Sequence, residues 1–191
     1  MNTTRTNLLL RLRDPGDSKA WEEFYEYYSG LIRSYALARG MNDADAEDIT
    51  SECMRLLVRK MPKFDYDKNK GKFRGWLKRI VDGKVTDLMR KRRMPRADTE
   101  EVRQMPETDP NPEELWEQKC QQALLYQCLG ILKEQVPEHQ FEAFRLYALE
   151  ECPADQVAEN LGLTANHVYV IKNRLLEHLQ RIMKEQSDEE S

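Results

Sequence analysis

Hydrophobic residues recur at steps of three and four along most of this chain, and charged faces separate them. This period predicts amphipathic helices, because residues three and four apart share one face of a helix. Pro, Gly, Asn and Asp interrupt the pattern where helices would begin or end. The pattern therefore predicts an all-α fold, with helices within residues 4–13, 17–40, 42–61, 71–96, 112–132, 141–149, 153–161 and 164–182.

Residues 94–111 break the helical pattern and predict a linker. The segment contains three prolines, few apolar residues and, in its second part, mainly acidic side chains. Such a composition favours extended and solvated backbone. The sequence thus predicts two small helical domains, 1–93 and 112–191, joined by an acidic proline-containing linker.

Charge is sorted along the chain. The formal net charge is −4, but the stretch from Lys68 to Arg96 holds twelve Lys or Arg against two Asp. Trp76 lies within a helical turn of three of these cations, and the preceding loop contains Phe64 and Tyr66. Cations beside aromatic rings suit phosphates and unpaired bases, so this segment is predicted to bind nucleic acid. The alternative is an ordinary amphipathic helix with a solvated polar face and aromatics packed under the loop.

A second polar face is acidic. Asp45, Asp48 and Glu52 follow one side of the helix predicted from residue 43, and Arg55 extends that side. With Asp43 these carboxylates leave a metal-dependent nucleic-acid hydrolase as one hypothesis. However, no His is near in sequence, and acidic residues early in a helix simply complement its dipole. A docking face for another protein is the preferred interpretation.

The last two predicted helices have helix-turn-helix spacing. A short helix ends at Gly162, Leu163 can fill the turn, and Thr164 can cap the longer helix that follows. Amides, cations and a β-branched side chain on this second helix suit the edges of DNA bases and the backbone phosphates. These residues are Asn166, His167, Tyr169, Val170, Lys172, Asn173 and Arg174. An ordinary helical hairpin is the alternative.

Other functions find little support in the sequence. The four cysteines form no CxxC pair and have no His at zinc-finger spacing, so we expect idle thiols and no metal. No residue set indicates catalysis or a cofactor. Neither a signal-peptide pattern nor a long apolar run is present, which predicts a soluble cytoplasmic protein.

The order of these motifs resembles a known family. The segments AWEEFYEYYSGLI, DAEDITSE, KFRGWLKRIVDGKVTDLMRKRR and DQVAENLGLTANHVYVIKNRLLEHL, with the acidic linker before the last, are similar to bacterial RNA polymerase sigma factors. The resemblance is to the small, two-domain, sigma-70-like factors of the extracytoplasmic-function type. It implies a non-enzymatic subunit that binds core RNA polymerase and directs promoter-specific transcription initiation, and that can have an anti-sigma partner.

The resemblance also implies roles for individual residues. The polymerase-docking residues would be Asp45, Asp48, Glu52 and Arg55. Contacts with the minus-ten element, duplex and melted strand, would come from Phe64, Tyr66, Lys72, Arg74, Trp76, Lys78, Arg79, Lys84 and Asp87. Contacts with the minus-thirty-five element would come from Thr164, Asn166, His167, Tyr169, Val170, Lys172, Asn173 and Arg174.

Some positions depart from the family pattern. Ser51, Gly83 and Gln156 stand where the family often has Gln, Asn and Glu, and the extension before Ala20 is longer. The loss of an amide at Gly83 puts a base contact there in doubt. A stand-alone helix-turn-helix repressor or activator that binds duplex DNA as a dimer therefore remains the alternative, although no heptad seam is evident.

Overall fold

The computed structural model describes residues 5–64, 73–93 and 111–188. In these ranges every regular element is helical, which confirms the predicted all-α class. The elements are α1 (Arg5–Arg11), α2 (Ser18–Ala38), α3 (Asp43–Lys60), a 3₁₀ turn (Met61–Lys63), α4 (Phe73–Arg93), α5 (Pro112–Gln135), α6 (Glu138–Phe144), a π-helical turn (Arg145–Leu149), α7 (Ala154–Leu161) and α8 (Ala165–Asp188). The predicted linker lies, except for Asn111, outside the described residues.

The ends of the first helices follow from local chemistry. The Asp17 side chain caps α2 by accepting a hydrogen bond from the Ala20 backbone N–H at 3.0 Å. Asn42 caps α3 in the same way, through the Asp45 N–H at 2.8 Å. Gly40 lies between the two helices with φ of 82°, a conformation that glycine adopts without strain. Each cap contributes about 1 kcal/mol to helix stability.

Contacts divide the chain into two units, and the first extends to Ala123. Its core is formed by the apolar stripes of α2, α3 and α4, together with Leu8, Leu9 and Leu12 at the end of α1. Phe24 and Tyr35 are fully buried aromatic rings in this core. The helices that carry the predicted acidic and basic faces, α3 and α4, both pack against α2 in this core.

The first part of α5 also belongs to this unit. Leu115, Trp116 and Cys120 are buried in the first core, and the Trp116 ring lies edge-on to Tyr35 with 5.0 Å between centroids. The sequence predicts that the second domain begins at 112, but the contacts place residues 112–123 in the first unit. The apolar pattern of α5 continues past Ala123 without a break, so it gives no sign of this boundary.

The second unit comprises Leu124–Glu189. Its core includes Leu132, Phe144 and Val157 with the inner face of α8. The segment predicted as one helix over 141–149 is instead α6 followed by a π-helical turn, in which the Glu150 N–H donates to the Arg145 carbonyl at 3.0 Å. The turn precedes α7 and leaves α7 and α8 packed against each other as the helix-turn-helix.

Candidate nucleic-acid and protein interfaces

The predicted acidic face of α3 is partly engaged by cations of α4. Lys84 Nζ lies 2.7 Å from Glu52 Oε2, and Arg92 pairs with Asp45. The hydrogen bond from Lys84 holds the pKa of Glu52 below its ordinary value, and the positive charge of Lys84 adds to this effect. Glu52 and Lys84, which were predicted to contact different partners, therefore contact each other and join α3 to α4.

Asp48 and Arg55 remain on the outer side of α3. Both side chains are exposed, and the Asp48 carboxylate makes no ion pair or hydrogen bond with any residue that the structure describes. Arg55 lies near enough to Glu52 to help lower the pKa of that carboxyl group. Of the four predicted docking residues, these two are available to a second protein.

Phe64 and Trp76 form an aromatic contact at the start of α4. Their ring centroids are 4.5 Å apart with planes inclined by 36°, and both rings also contact Phe73. Both side chains are half-buried, so part of each ring is accessible. Tyr66 and Lys72, also predicted for this surface, lie outside the described residues.

The charged residues of α4 divide into exposed and engaged groups. Arg79 is exposed, whereas Arg74 is half-buried and donates to the Tyr27 hydroxyl at 3.3 Å. Asp87 is exposed and accepts from Arg90 at 3.1 Å. Lys78 is only 7 % exposed, so this predicted DNA contact is turned into the protein and is not presented to a phosphate.

Lys78 belongs to a charge network that the sequence did not predict. Its Nζ lies 2.6 Å from Asp82 Oδ2 and 3.0 Å from Glu113 Oε1 at the start of α5. Asp82 Oδ1 accepts from the Tyr35 hydroxyl at 2.6 Å and from Arg39 at 3.0 Å. The network therefore links α2 to α4 through Asp82, and α4 to α5 through Lys78 and Glu113.

The titration of the network follows from its burial and its hydrogen bonds. Burial, together with the hydrogen bond to Asp82, raises the pKa of Tyr35 to about 12. Burial alone would lower the pKa of Lys78, but the hydrogen bonds to Asp82 and Glu113 outweigh it and raise that pKa. Lys78 is therefore a cation at neutral pH, and Tyr35 is a neutral hydrogen-bond donor.

The helix-turn-helix has the predicted turn. Gly162 ends α7 with φ of 64°, and the Leu163 N–H donates to the Ala158 carbonyl at 2.8 Å. The Thr164 hydroxyl then caps α8 by accepting from the His167 N–H at 3.2 Å. Thr164 thus sets the start of the helix, a role that its hydroxyl performs without any DNA contact.

The outer face of α8 is open. Val170 and Tyr169 are 54 % and 46 % exposed, although Tyr169 is braced edge-on by Tyr147. The other predicted DNA contacts on this helix are Asn166, His167, Asn173 and Arg174, which are exposed, and Lys172, which is half-buried. Arg174 donates to Gln140 of α6, so its guanidinium has a defined direction.

The hydrolase hypothesis requires acidic side chains close enough together to share a metal ion. In residues 5–64, 73–93 and 111–188, no three His, Cys, Asp or Glu side chains come together in a way that could hold a metal ion. Asp43 pairs with Arg33 at 2.5 Å, so the acidic residues of α3 are separated by cations. None of the described helices is both long enough and apolar enough to cross a membrane.

Part of the first unit is similar to a known family. Residues 24–94, which include most of α2 and all of α3 and α4, match the family Sigma-70 region 2. Over these residues the chain is similar to a sigma-70 region 2, which agrees with the resemblance to sigma-70-like factors of the extracytoplasmic-function type.

One curated relative makes the comparison specific. The chain is 29 % identical over 105 residues to the ECF RNA polymerase sigma factor SigE of Mycolicibacterium smegmatis. The aligned part covers 54 % of this chain and 39 % of the relative. The chain therefore spans about two fifths of the length of the relative it matches.

Proposed function

We propose that this protein is a sigma factor that binds core RNA polymerase and directs transcription initiation at specific promoters. One observation carries the proposal: the residues matched to Sigma-70 region 2 are those that place an exposed acidic side chain on α3 and exposed cations on α4. The proposed action is binding and DNA opening, performed in the cytoplasm with the polymerase and the genome. No residue is assigned a catalytic role, and the proposal requires neither a cofactor nor a metal.

Asp48 is the proposed centre of the polymerase contact, with Arg55 beside it. Both are exposed on the outer side of α3. Asp45 and Glu52 support this surface indirectly, because their pairs with α4 hold the helix in place. An exposed and unpaired carboxylate is also the group whose reversal disturbs the fold least and a charged partner most.

The start of α4 is the proposed contact for the melted minus-ten strand. The accessible sides of Phe64 and Trp76 offer a stacking surface, and Arg79 and Arg74 provide nearby positive charge. The cost of unpairing is a few kcal/mol per base, and stacking of about 1–3 kcal/mol per base offsets it. The resemblance also assigns Tyr66, Lys72, Lys84 and Asp87 to this step, together with Lys78, which is buried and is left out of the proposed contact.

The outer face of α8 is the proposed reader of the minus-thirty-five duplex. Asn166 and Asn173 are exposed amides, which suit adenine edges, and Val170 suits a thymine methyl group. Arg174, directed by Gln140, suits guanine or a phosphate. The short α7 and its left-handed glycine set the angle at which this face is presented.

Co-purification with bacterial core RNA polymerase tests the proposal. The parent chain is compared with Asp48→Arg and with Glu26→Arg, a reversal of an exposed carboxylate on α2. We expect the parent and Glu26→Arg to bind, and Asp48→Arg to lose at least about tenfold in affinity, because a charge reversal at the contact introduces repulsion.

One result would contradict the proposed sigma function, and another would contradict only the proposed docking surface. If neither the parent nor the control binds polymerase, and the free chain shifts a symmetric duplex as a dimer, the repressor or activator hypothesis replaces it. If Asp48→Arg binds as tightly as the parent, the sigma function stands but the docking surface lies elsewhere.

A further inference from the structure

α1 lies before the residues matched to Sigma-70 region 2, yet it is part of the first core. Leu8, Leu9 and Leu12 are 4 %, 6 % and 0 % exposed. Arg11 adds two hydrogen bonds to Asp17, at 2.8 and 2.9 Å, and Asp17 also caps α2. The hydrogen bond holds the pKa of Asp17 below its ordinary value. The end of α1 is therefore fixed relative to α2.

Arg13 follows this fixed segment, and its guanidinium reaches the backbone of Phe64, a residue of the proposed nucleic-acid surface. Arg13 Nε and Nη2 both donate to the Phe64 carbonyl oxygen, at 3.0 and 2.8 Å. The two residues are 51 positions apart in the chain. A charged fork on one carbonyl is a strong and directional contact.

Phe64 is held from its other sides as well. Its N–H donates to the Met61 carbonyl at 3.0 Å, and its ring packs on Trp76 and Phe73. Replacing Arg13 removes both of these hydrogen bonds to the Phe64 carbonyl. Arg13, which lies outside the matched family region, therefore holds the backbone of a residue whose ring packs on Trp76.

We propose that Arg13 is a positioning residue for DNA opening: by fixing the Phe64 carbonyl it sets the Phe64–Trp76 stacking surface that receives an unpaired base. The extension before Ala20 is thus a working part of the promoter-binding surface. The inference rests on the proposed sigma function for its DNA readout, but the effect on Trp76 is a property of the free chain.

The first experiment uses the free full-length chain. ¹⁹F NMR of protein labelled with 5-fluorotryptophan gives one resonance for each of Trp21, Trp76 and Trp116, assigned by single substitutions. We expect Arg13→Gln to shift the Trp76 resonance and to leave that of Trp116, which packs on Tyr35, in place. Arg59→Gln, an exposed arginine on α3, is the control and should shift neither.

The second experiment measures opening of a duplex that the wild-type chain and core polymerase have selected from a random-sequence library. Permanganate reactivity of unpaired thymines reports opening, and we expect Arg13→Gln to reduce it about fivefold. The salt dependence of DNA binding should keep its slope, because a lost phosphate contact would reduce that slope by about 1.

Arg13→Lys separates positioning from charge. Lysine keeps the positive charge but lacks the two-donor fork, so it should behave like Arg13→Gln in both experiments. An unmoved Trp76 resonance in Arg13→Gln, full activity of Arg13→Lys, or a reduced salt slope would each overturn the inference. If the wild-type chain selects and opens no duplex, the proposed function fails, while the NMR result still decides whether Arg13 positions Trp76.

Discussion

α4 and α8 are both predicted to bind DNA, but their polar side chains lie in different surroundings. On α4, Lys78 is buried against Asp82 and Glu113, and Lys84 is paired with Glu52. On α8, Asn166, Val170 and Asn173 point outward and make none of the contacts that hold the second core together. Several charged side chains of α4 are therefore paired within the first unit, whereas the polar side chains on the outer face of α8 are exposed to solvent.

The difference shows that the net positive charge of a segment does not tell how many of its cations are available to a partner. A run of Lys and Arg gives the sign of a field, but the partners of each cation depend on which acids the fold brings within reach. In α4 those acids come from α3, α5 and α4 itself. The proposed DNA surface of this helix is therefore smaller than its count of cations indicates, and the proposal relies more on the Phe64–Trp76 pair.

The largest expected effect is in the buried network of α4. Asp82→Ala removes the acceptor shared by Tyr35, Arg39 and Lys78, and leaves the buried Lys78 without its closest counter-charge. We expect the free energy of unfolding of the first unit to fall by about 3–5 kcal/mol. Urea unfolding followed by tryptophan fluorescence measures it, since Trp21, Trp76 and Trp116 all lie in this unit.

Asp87→Ala is the matched control on the same helix. Asp87 is exposed and contacts Arg90 alone among the described residues, so its loss should change the free energy of unfolding by no more than about 0.5 kcal/mol. Equal effects of the two substitutions would show that the network adds no stability beyond an ordinary surface pair.

A smaller effect is expected on α8, and in binding rather than stability. Asn173→Ala removes an exposed amide, so affinity for a duplex selected by the wild-type chain with core polymerase should fall about tenfold. Thermal unfolding should be unchanged, because Asn173 lies outside the second core. Fluorescence anisotropy with labelled duplex measures the affinity.

Gln180→Ala serves as the control, since it removes another exposed amide two turns further along α8. It should leave DNA affinity unchanged. Loss of affinity in both variants, or in neither, would mean that the N-terminal half of α8 is not the reading face, and the contrast with α4 would disappear.

The features that the sequence predicted well are local. The cap at Thr164 and the helix end at Gly162 each depend on residues within one turn. The apolar stripes fix which face of each helix is buried, and the observed cores use those faces. The class of fold followed from these two kinds of pattern.

The features that it missed depend on contacts between distant residues. Nothing local distinguishes buried Lys78 from exposed Arg79, because Tyr35 and Glu113 come from other helices. A partial signal was present, since Asp82 stands four residues after Lys78 on the same helix. The split of α5 between two cores left no signal, because its apolar stripe is continuous.

The smallest expected effect tests the exposed pair between α3 and α4. The pKa of Glu52 lies below its ordinary value of 4.5, so the stability that the Glu52–Lys84 pair provides is present above that pH and is lost as the pH falls further. Both side chains are partly exposed, and water and salt screen them, so the pair should contribute about 0.5 kcal/mol. The free energy of unfolding of Glu52→Gln should therefore be lower than that of the parent by this amount at about pH 7, with the difference closing towards about pH 3. Urea unfolding of both proteins across this range, repeated in about 1 M salt, measures it. A difference that persists at low pH would mean that the substitution acts through packing and that the pair, unlike the network around Asp82, holds no charge-dependent stability.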